Sequence, residues 1–326
     1  MRQASFVFLV RRLIQIVPVV LAIVAVNFFL LRMAPGDVAD ILAGQMGHAT
    51  LEFTQQLRRE FGLDQPVYVQ FFIYMGKLLT FDLGMSHLQQ TPVIALILDR
   101  LPATLILMLT SLLLAIALGV VLGVAAARRE GTLADSLISV SALMIYATPS
   151  FWLGLMLIVL FSIKLDILPS GGMFQIGAGR AGLAYALDVA RHLILPAATL
   201  GLFYVAVYAR LMRASMLEVY GLDFIVTARA KGLSETSIAW THALRNALLP
   251  VVTLAGVQFG HLLGGSILVE TVFAWPGLGR LVFDALLQRD LNLLLGILFV
   301  SSVVVVVANL IVDLAYGMLD PRIVHK

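Results

Sequence analysis

Six long apolar blocks alternate with polar segments along the chain. The blocks are Leu13–Leu31, Leu101–Ala127, Leu137–Ile163, Leu193–Ala209, Ala247–Val269 and Leu291–Val312. Each is near or beyond the roughly 20 residues that a membrane-spanning helix needs, and the fourth, the shortest, gains length if it continues through Met212. Uncharged runs of this length must be helical in lipid, and they lack the alternation of β-barrel strands. The pattern predicts an all-α membrane protein with six transmembrane helices.

The polar segment Arg32–Arg100 between the first two blocks carries two helix signals. Leu51–Phe61 has the pattern of a short amphipathic helix, which Gly62 and the turn at residues 64–66 should end. Pro66 can open a second helix through about Leu79, because proline fits the start of a helix. The apolar residues of this second helix indicate a segment that folds back onto the membrane or the other spans.

Prolines and the N-terminus refine the predicted spans. Pro149 and Pro196 should kink or start helices, since proline removes a backbone donor. A basic N-terminus followed by Leu13–Leu31 also has the pattern of a cleaved signal peptide. The apolar run is long for such a peptide and no A-x-A site follows it, so a retained first span is the preferred interpretation.

Composition supports a membrane protein. The 326 residues are 60% hydrophobic and 13% charged, the mean hydropathy is +0.98, and a soluble domain has about 25% charged residues. The net charge of +3 needs no nucleic acid, because basic residues gather beside spans on the cytoplasmic side. The chain has no cysteine, which excludes disulfides, thiol nucleophiles and cysteine-bound metals.

The distribution of Lys and Arg predicts the orientation. With the N-terminus inside, basic residues are about twice as dense on the inner segments as on the outer ones. Six spans then place both termini in the cytoplasm. The same count places Arg213–Leu249 inside, and Arg32–Arg100, Lys164–His192 and Thr271–Asp290 outside.

The loop Arg213–Leu249 is unusually rich in charge for this chain. A short helix is predicted over about Leu222–Lys231, and Gly232 can supply the positive φ that commonly ends a helix. Ser234 can cap a second helix that runs to Pro250. A compact arrangement of two helices around a glycine is suited to docking on a partner protein. The plainer hypothesis is that this loop is a solvated connector between two spans.

Motifs for catalysis are missing from the sequence. The Gly76-Lys77 pair has neither the earlier glycine nor the following Ser/Thr of a phosphate-binding loop, so any ATP must be bound by another chain. No H-E-x-x-H or G-x-S-x-G occurs. The six histidines are scattered, which argues against a metal site.

Polar residues inside the predicted spans are the candidates for a translocation path. Gln258 and His261 lie three residues apart near small residues that include Ser266, and the sixth block contains Ser301 and Ser302. Helix packing is the plainer explanation for the small residues, and a polar stripe along a water-filled path is the alternative. Asp313 lies near the inner end of its block, where an ion pair with Arg210 is preferred over a role in transport.

The chain resembles the integral membrane subunit of bacterial ATP-binding-cassette importers for dipeptides, oligopeptides and nickel. The resemblance runs nearly end to end, through motifs that are weak singly and specific in this order. They are Ala34–Asp37, Phe61–Pro66, Asp82–Ser86, Arg100–Thr104, Thr148–Trp152, Thr227–Gly232, His242–Pro250, Glu270–Phe273, Trp275–Gly279, Asn309–Leu310 with Asp313, and Asp320–Arg322.

The resemblance implies a type I importer permease fold and a machine of several chains. A second, similar permease subunit would complete the path, two cytoplasmic ATPase subunits would bind ATP and Mg, and a periplasmic substrate-binding protein would deliver the cargo. This chain would itself bind no cofactor. Residues 1–100 would form the cytoplasmic start, first span and long periplasmic segment, and residues 101–326 a five-helix permease core.

The resemblance also implies a coupling helix in the loop 213–249, seated in a groove of an ATPase. Its residues would be Asp223, Thr227, Ala228, Arg229, Ala230, Lys231 and Gly232. The general signature of such importers has an acidic residue and two alanines before the glycine, where this chain has Val226, Thr227 and Ala228. This departure is typical of the peptide branch.

Several functions stay open at this point. Peptide import by a permease subunit in the bacterial inner membrane is preferred, and nickel chelates, opines or oligosaccharides are alternative cargoes for the same architecture. A stand-alone secondary transporter would require charged residues at mid-membrane for ion coupling, and it is disfavoured because the strongest candidate, Asp313, lies near one end of its span. No catalytic constellation supports a membrane enzyme.

Overall fold

Long apolar helices dominate the computed structural model, which describes residues 2–33, 39, 50–60, 62–86 and 88–319. The helices are α1 (Arg2–Met33), α2 (Leu51–Glu60), α3 (Val67–Leu79), α4 (Val93–Ala127), α5 (Leu133–Ala147), α6 (Ser150–Lys164), α7 (Gly182–Tyr220), α8 (Asp223–Ala230), α9 (Glu235–Val272), α10 (Leu278–Gln288) and α11 (Leu291–Leu319). No strand occurs within these described ranges, so the predicted all-α class is confirmed for them.

Four helices, α4, α7, α9 and α11, have the length and apolar composition to cross a membrane. The pair α5 and α6 makes a fifth if it is one span, bent by 104°. Within α1, the stretch Val17–Phe29 is apolar but shorter. The protein is therefore a multi-pass helical membrane protein.

The two predicted helices of the polar segment are present. α2 ends at Glu60, before the positive-φ Gly62, and Pro66 precedes the first residue of α3. Turn chemistry and an amphipathic pattern were sufficient to predict both helices, because their ends depend on local backbone preferences.

Three apolar blocks differ in organisation from the prediction, and the helices that contain the other three extend beyond their blocks. The fourth block is the middle of α7, a 39-residue helix that continues beyond it at both ends and contains Pro196 in its interior. The third block is interrupted at Pro149, which starts α6. Pro250 ends no helix, since α9 runs through it from Glu235. Hydropathy marks only the apolar stretch of a helix, whereas polar helix ends persist where the protein supplies hydrogen-bond partners.

The chain forms two compact units. The first contains Met1–Leu101 and Leu281–Lys326, and the second contains Pro102–Arg280. The division at residue 100 drawn from the sequence stays a prediction.

In the first unit, α1 packs against α11 and α3. An aromatic cluster joins α1 to α3, with the Phe28 and Phe71 rings 5.4 Å apart. Ser86 donates a 2.5 Å hydrogen bond to Asp290, and Asn292 donates to the Met85 carbonyl at 3.2 Å. These bonds connect residues 85 and 86 to the start of α11.

In the second unit, α7 is the central element and is mostly buried. It packs against α5, α6 and α9. Gly119 and Gly123 of α4 lie against the backbone of α7, where a β-carbon would overlap Tyr208 or Met212. Small residues thus allow close helix approach, as is common between membrane helices.

Candidate functional site

The turn between α8 and α9 follows the geometry predicted for Gly232. We call residues 223–237 the elbow. Gly232 has a φ of +76°, its N–H donates to the Arg229 carbonyl at 2.9 Å, and the Leu233 N–H donates to the Ala228 carbonyl at 3.3 Å. This pair of bonds is a Schellman motif, the usual way in which a helix ends on a glycine. A β-carbon at Gly232 would meet nothing within 4 Å, so any cost of substitution there arises from the backbone.

Side chains brace the elbow across the turn. The Ser234 hydroxyl accepts from the Ser237 N–H at 3.3 Å, which confirms the predicted cap. Arg229 donates to both carboxylate oxygens of Glu235 at 2.9 and 3.3 Å, and its guanidinium lies 5.7 Å from the centre of the Tyr220 ring. The hydrogen bond to Glu235 raises the pKa of Arg229 above its usual value. Arg229 therefore already has an acidic partner within the chain.

One face of α8 points outward. The opposite face of α8 carries Ile225 and Ala228, whose side chains are buried. Ala228 therefore packs against the core of this chain. The Thr227 hydroxyl donates back to the Asp223 carbonyl at 3.0 Å. Lys231 is exposed and forms no ion pair within the described part of the chain. The remaining exposed members of the predicted coupling set are Asp223, Thr227, Arg229, Ala230 and Gly232.

A second ion pair anchors the helices behind the elbow. Arg213 of α7 donates to both oxygens of Asp135 on α5, each at 2.7 Å. Asp135 also accepts from the Gly131 N–H at 3.2 Å and is itself buried. Two parallel bonds between planar groups fix the relative orientation of α5 and α7.

Sequence analysis did not identify Asp135 as the partner of Arg213. The local signal is Thr132, which caps α5 and is followed three residues later by the acidic Asp135. Arg128 also donates to Thr236 at 2.9 Å, which connects the end of α4 to the first turn of α9. Both contacts join residues far apart along the chain, so spacing alone does not reveal them.

The opposite end of α9 carries a buried carboxylate, Glu270. It is fully buried and accepts from the Thr104 hydroxyl at 2.7 Å and from the Arg280 N–H at 3.0 Å. Thr104 in turn accepts from the Leu278 N–H at 2.7 Å. We call Thr104, Glu270 and the backbone N–H groups of residues 278–280 the Glu270 cluster. These donors are neutral, so this carboxylate is satisfied by hydrogen bonds alone.

Two glycines and a tryptophan complete the turn around this cluster. Trp275 is buried and donates from Nε1 to the Ala103 carbonyl at 2.9 Å. A β-carbon at Gly277 or Gly279 would overlap the Glu270 carboxylate. Three of the motifs that carry the family resemblance, Arg100–Thr104, Glu270–Phe273 and Trp275–Gly279, therefore pack together. Glycine is required at positions 277 and 279 because the backbone there lies against the Glu270 carboxylate.

A third polar cluster orders the segment before α7. Asp188 is buried, forms a 2.6 Å ion pair with Arg180 and accepts from the Gln175 N–H at 2.8 Å. The Gly172 N–H donates to the Phe273 carbonyl at 2.8 Å, so this segment lies at the same end of the unit as the Glu270 cluster. The two clusters together fix the conformation of the polar segments before α7 and after α9 at that end of the unit.

The predicted path residues lie in different environments. On α9, His261 belongs to an exposed stripe that also contains Val257, Gly264 and Leu268, and Gln258 beside it is half-buried. Ser266 is fully buried on the other face and donates to the Leu263 carbonyl at 2.9 Å. In the first unit, Ser301 and Ser302 are half-buried, and Ser302 donates to the Leu298 carbonyl at 2.7 Å. The pathway assignment stays a prediction.

The predicted ion pair between Asp313 and Arg210 also stays a prediction, because the Asp313 side chain lies outside the described residues. The Arg210 guanidinium lies 5.2 Å from the centre of the Tyr146 ring. This distance is within the range of a cation–π contact between α7 and α5.

A cavity of about 330 Å³ opens at the break between α5 and α6. Its walls are formed by Tyr146, Ala147, Thr148, Pro149, Ser150, Leu200, Phe203, Tyr204 and Gly265. The Tyr146 and Phe203 rings are stacked with their centres 4.8 Å apart. All nine residues belong to the second unit, and none carries a charge.

The fold thus defines a multi-pass helical membrane protein with a polar elbow at one end. Residues 119–325 match the family described as "Binding-protein-dependent transport system inner membrane component", and residues 5–108 match its N-terminal companion family. The chain belongs to this family. The resemblance deduced from its motifs is confirmed.

Similar proteins agree with this assignment along the whole chain. The dipeptide transport system permease protein DppB of Escherichia coli (strain K12) is 40% identical, over 98% of this chain and 99% of the relative. The oligopeptide transport system permease protein AppB of Bacillus subtilis (strain 168) is 38% identical, over 97% and 98%. A solved structure of the MetNI methionine ABC transporter in an inward-facing conformation matches with a TM-score of 0.57 and 18% identity, over 70% of this chain and 98% of that chain, which establishes a shared fold.

Proposed function

We propose that this chain is a permease subunit of an ATP-driven importer and forms half of a path for dipeptides and oligopeptides across the bacterial inner membrane. The observation that carries the proposal is similarity along nearly the full chain to relatives named for dipeptide and oligopeptide transport. In this assignment the chain has six transmembrane helices in a type I importer fold, with both termini and the elbow in the cytoplasm.

The elbow would be the site at which ATPase subunits act on this chain. Its exposed face offers Lys231 and the outer side of α8, and its geometry is fixed by the Schellman turn and the Arg229–Glu235 pair. A short helix seated in a groove of a partner is a common mode of recognition. Because Arg229 is paired internally, we assign it to the shape of the elbow and assign electrostatic contact with the ATPase to Lys231.

α9 would carry the motion from the elbow into the membrane. It is one helix of 38 residues, about 57 Å long, that starts at Glu235 after the Ser234 cap and ends beside the Glu270 cluster. A force applied at the elbow would therefore move the His261 stripe and the far end of α9 as one body. Rigid-body movement of packed helices is a known route to alternating access.

Reconstitution would test this function. The chain would be purified with a second permease, two ATPases and the binding protein, placed in proteoliposomes, and supplied with a labelled dipeptide. We expect uptake that requires ATP hydrolysis and the binding protein. Uptake by this chain alone, driven by an ion gradient, would instead support a secondary transporter.

Competition would assign the cargo. An excess of unlabelled dipeptide or oligopeptide should suppress uptake of the labelled dipeptide, whereas nickel chelates, opines and oligosaccharides should leave it unchanged. If one of those compounds suppressed uptake and peptides did not, that compound would be assigned as the cargo in place of peptides.

A further inference from the structure

The cavity at the break between α5 and α6 has the chemistry of a binding site. Three of its walls are aromatic rings, those of Tyr146, Phe203 and Tyr204. Its volume of about 330 Å³ lies near the lower end of the range for small-molecule sites, which is about 300–1,000 Å³. It has room for one amino-acid side chain with its backbone groups and is too small for a long peptide.

Two kinds of donor at the cavity lack acceptors, whereas the Thr148 hydroxyl donates to the Met144 carbonyl at 2.8 Å. Tyr204 is 6% exposed, and its hydroxyl forms no hydrogen bond within the described part of the chain. At the start of α6, Pro149 has no side chain that can cap the helix, so the first N–H groups after it have no intrahelical partner. Ser150, the first residue of α6, lines the cavity. The site therefore presents donors next to apolar walls.

The charge near the cavity is positive. The N-terminus of α6 and the C-terminus of α5 bring opposite ends of two helix dipoles to the cavity, so these largely offset each other. The positive charge is that of Arg210, whose guanidinium lies 5.2 Å from the centre of the Tyr146 ring. No lining residue is acidic. A carbonyl or carboxylate oxygen is therefore a better occupant than an ammonium group.

We propose that this cavity is a transit site that holds one apolar or aromatic side chain of a passing peptide, while an adjacent carbonyl or carboxylate oxygen accepts from the Tyr204 hydroxyl and the first N–H groups of α6. The inference rests on the proposed function. A lipid chain would fill the apolar walls and leave the donors unpaired, which is costly away from water. A peptide satisfies both requirements.

The position of the cavity gives the site a role in transport. Gly265 of α9 forms part of the wall, next to Gly264 in the exposed His261 stripe. Movement of α9 would thus change the cavity directly. The site would select among peptides by side chain, after delivery by the binding protein.

Gly265→Leu tests the apolar part of the site, because the larger side chain would occupy the cavity. Gly76→Leu is the matched control, since Gly76 lies within α3, a β-carbon there meets nothing within 4 Å and the residue does not line the cavity. Uptake rates of alanyl-phenylalanine and alanyl-glycine would be measured with the complete complex. Since every variant uses the same binding protein, changes in the ratio of the two rates isolate the permease.

We expect Gly265→Leu to lower the Phe-to-Gly rate ratio by about tenfold, and Gly76→Leu to leave it unchanged. An unchanged ratio, or an equal loss for both dipeptides, would overturn the transit site. Loss of the second permease from the purified Gly265→Leu complex would assign the cavity to a subunit contact and would also overturn it.

Tyr204→Phe tests the polar part without altering the fold, because it removes only the hydroxyl. Tyr208→Phe is the control, since Tyr208 is buried one turn further along α7 with an unpaired hydroxyl and does not line the cavity. We expect Tyr204→Phe to slow uptake of both dipeptides by about two- to tenfold, and Tyr208→Phe to have no such effect. Equal rates in the two variants would contradict the proposal.

Failure of the proposed function would look different. If the unaltered complex showed no ATP-driven uptake of either dipeptide, peptide import would be rejected, and the transit site would be rejected with it. If the unaltered complex took up both dipeptides and each variant behaved like its control, the transit site would be rejected and peptide import would stand.

Discussion

The two ends of α9 are stabilised in opposite ways. At the elbow, Arg229 and Glu235 form an ion pair whose side chains are 44% and 59% exposed, and Gly232 has open space around it. At the other end, Glu270 is fully buried, and Gly277 and Gly279 lie against its carboxylate. An exposed pair contributes little, about 0–1 kcal/mol, whereas a buried polar group depends on every partner.

The difference indicates which end can change its contacts during transport. The elbow keeps its shape through local backbone geometry, so its outward face is free to meet a partner without loss of stability. The Glu270 cluster joins α4, the end of α9 and the following turn through hydrogen bonds that exclude water. We infer that the cluster moves as one rigid piece, while the elbow takes up and releases external contacts.

Removing the buried carboxylate should have the largest effect. Glu270→Ala leaves the Thr104 hydroxyl and the Arg280 N–H without their acceptor, so we expect a loss of about 3 kcal/mol or more in unfolding free energy. The measurement is thermal unfolding of the purified complex, followed by intrinsic fluorescence. Glu270→Gln keeps one acceptor oxygen and should lose less than half as much. Unchanged unfolding of Glu270→Ala would mean that the cluster does not stabilise this end.

Alanine substitutions at two glycines should distinguish the cost of overpacking from the cost of backbone strain. In Gly277→Ala the β-carbon overlaps the Glu270 carboxylate, and overpacking of this kind costs about 1–3 kcal/mol. In Gly232→Ala the methyl group is unhindered and only the positive φ is unfavourable, at about 1 kcal/mol. We expect Gly277→Ala to lower the unfolding temperature more than Gly232→Ala. The reverse order would contradict the contrast between the two ends.

Charge reversal at the elbow should change stability least. Arg229→Glu places two acids together in an exposed position, with an expected cost of about 1 kcal/mol or less. We also expect weaker co-purification of the ATPase, because the turn loses its brace. The double exchange Arg229→Glu with Glu235→Arg restores the pair in reverse and should recover co-purification. Failure of the exchange, with a stable fold, would show that Arg229 contacts the ATPase itself.

Local chemistry was predictable from the sequence where it depends on neighbouring residues. The end of α8 at Gly232, the Ser234 cap and the start of α3 after Pro66 are all decided within a few residues. The identity of the family was also accessible, because its motifs occur in a fixed order.

Contacts between distant residues were not predictable in the same way. Asp135 and Arg213 are 78 positions apart, and Thr104 and Glu270 are 166 apart, so no periodicity connects them. Continuation of α9 through Pro250 also escaped prediction. Proline is a weak stop signal when the helix has partners on either side. The cavity depends on the 104° break at Pro149, a kink whose angle the sequence does not state.

The number of ATP molecules hydrolysed per peptide imported tests the central claim most directly. It would be measured in proteoliposomes for the unaltered complex, for Gly232→Val, and for Gly62→Val as a control. Gly62 ends α2 with the same pair of turn hydrogen bonds, a similar φ of +66° and equally open surroundings. We predict that Gly232→Val raises this ratio about tenfold or more, since a β-branched residue at positive φ distorts the elbow, while Gly62→Val leaves it near the unaltered value. The same ratio in all three complexes would contradict transmission of ATP-driven motion through the elbow.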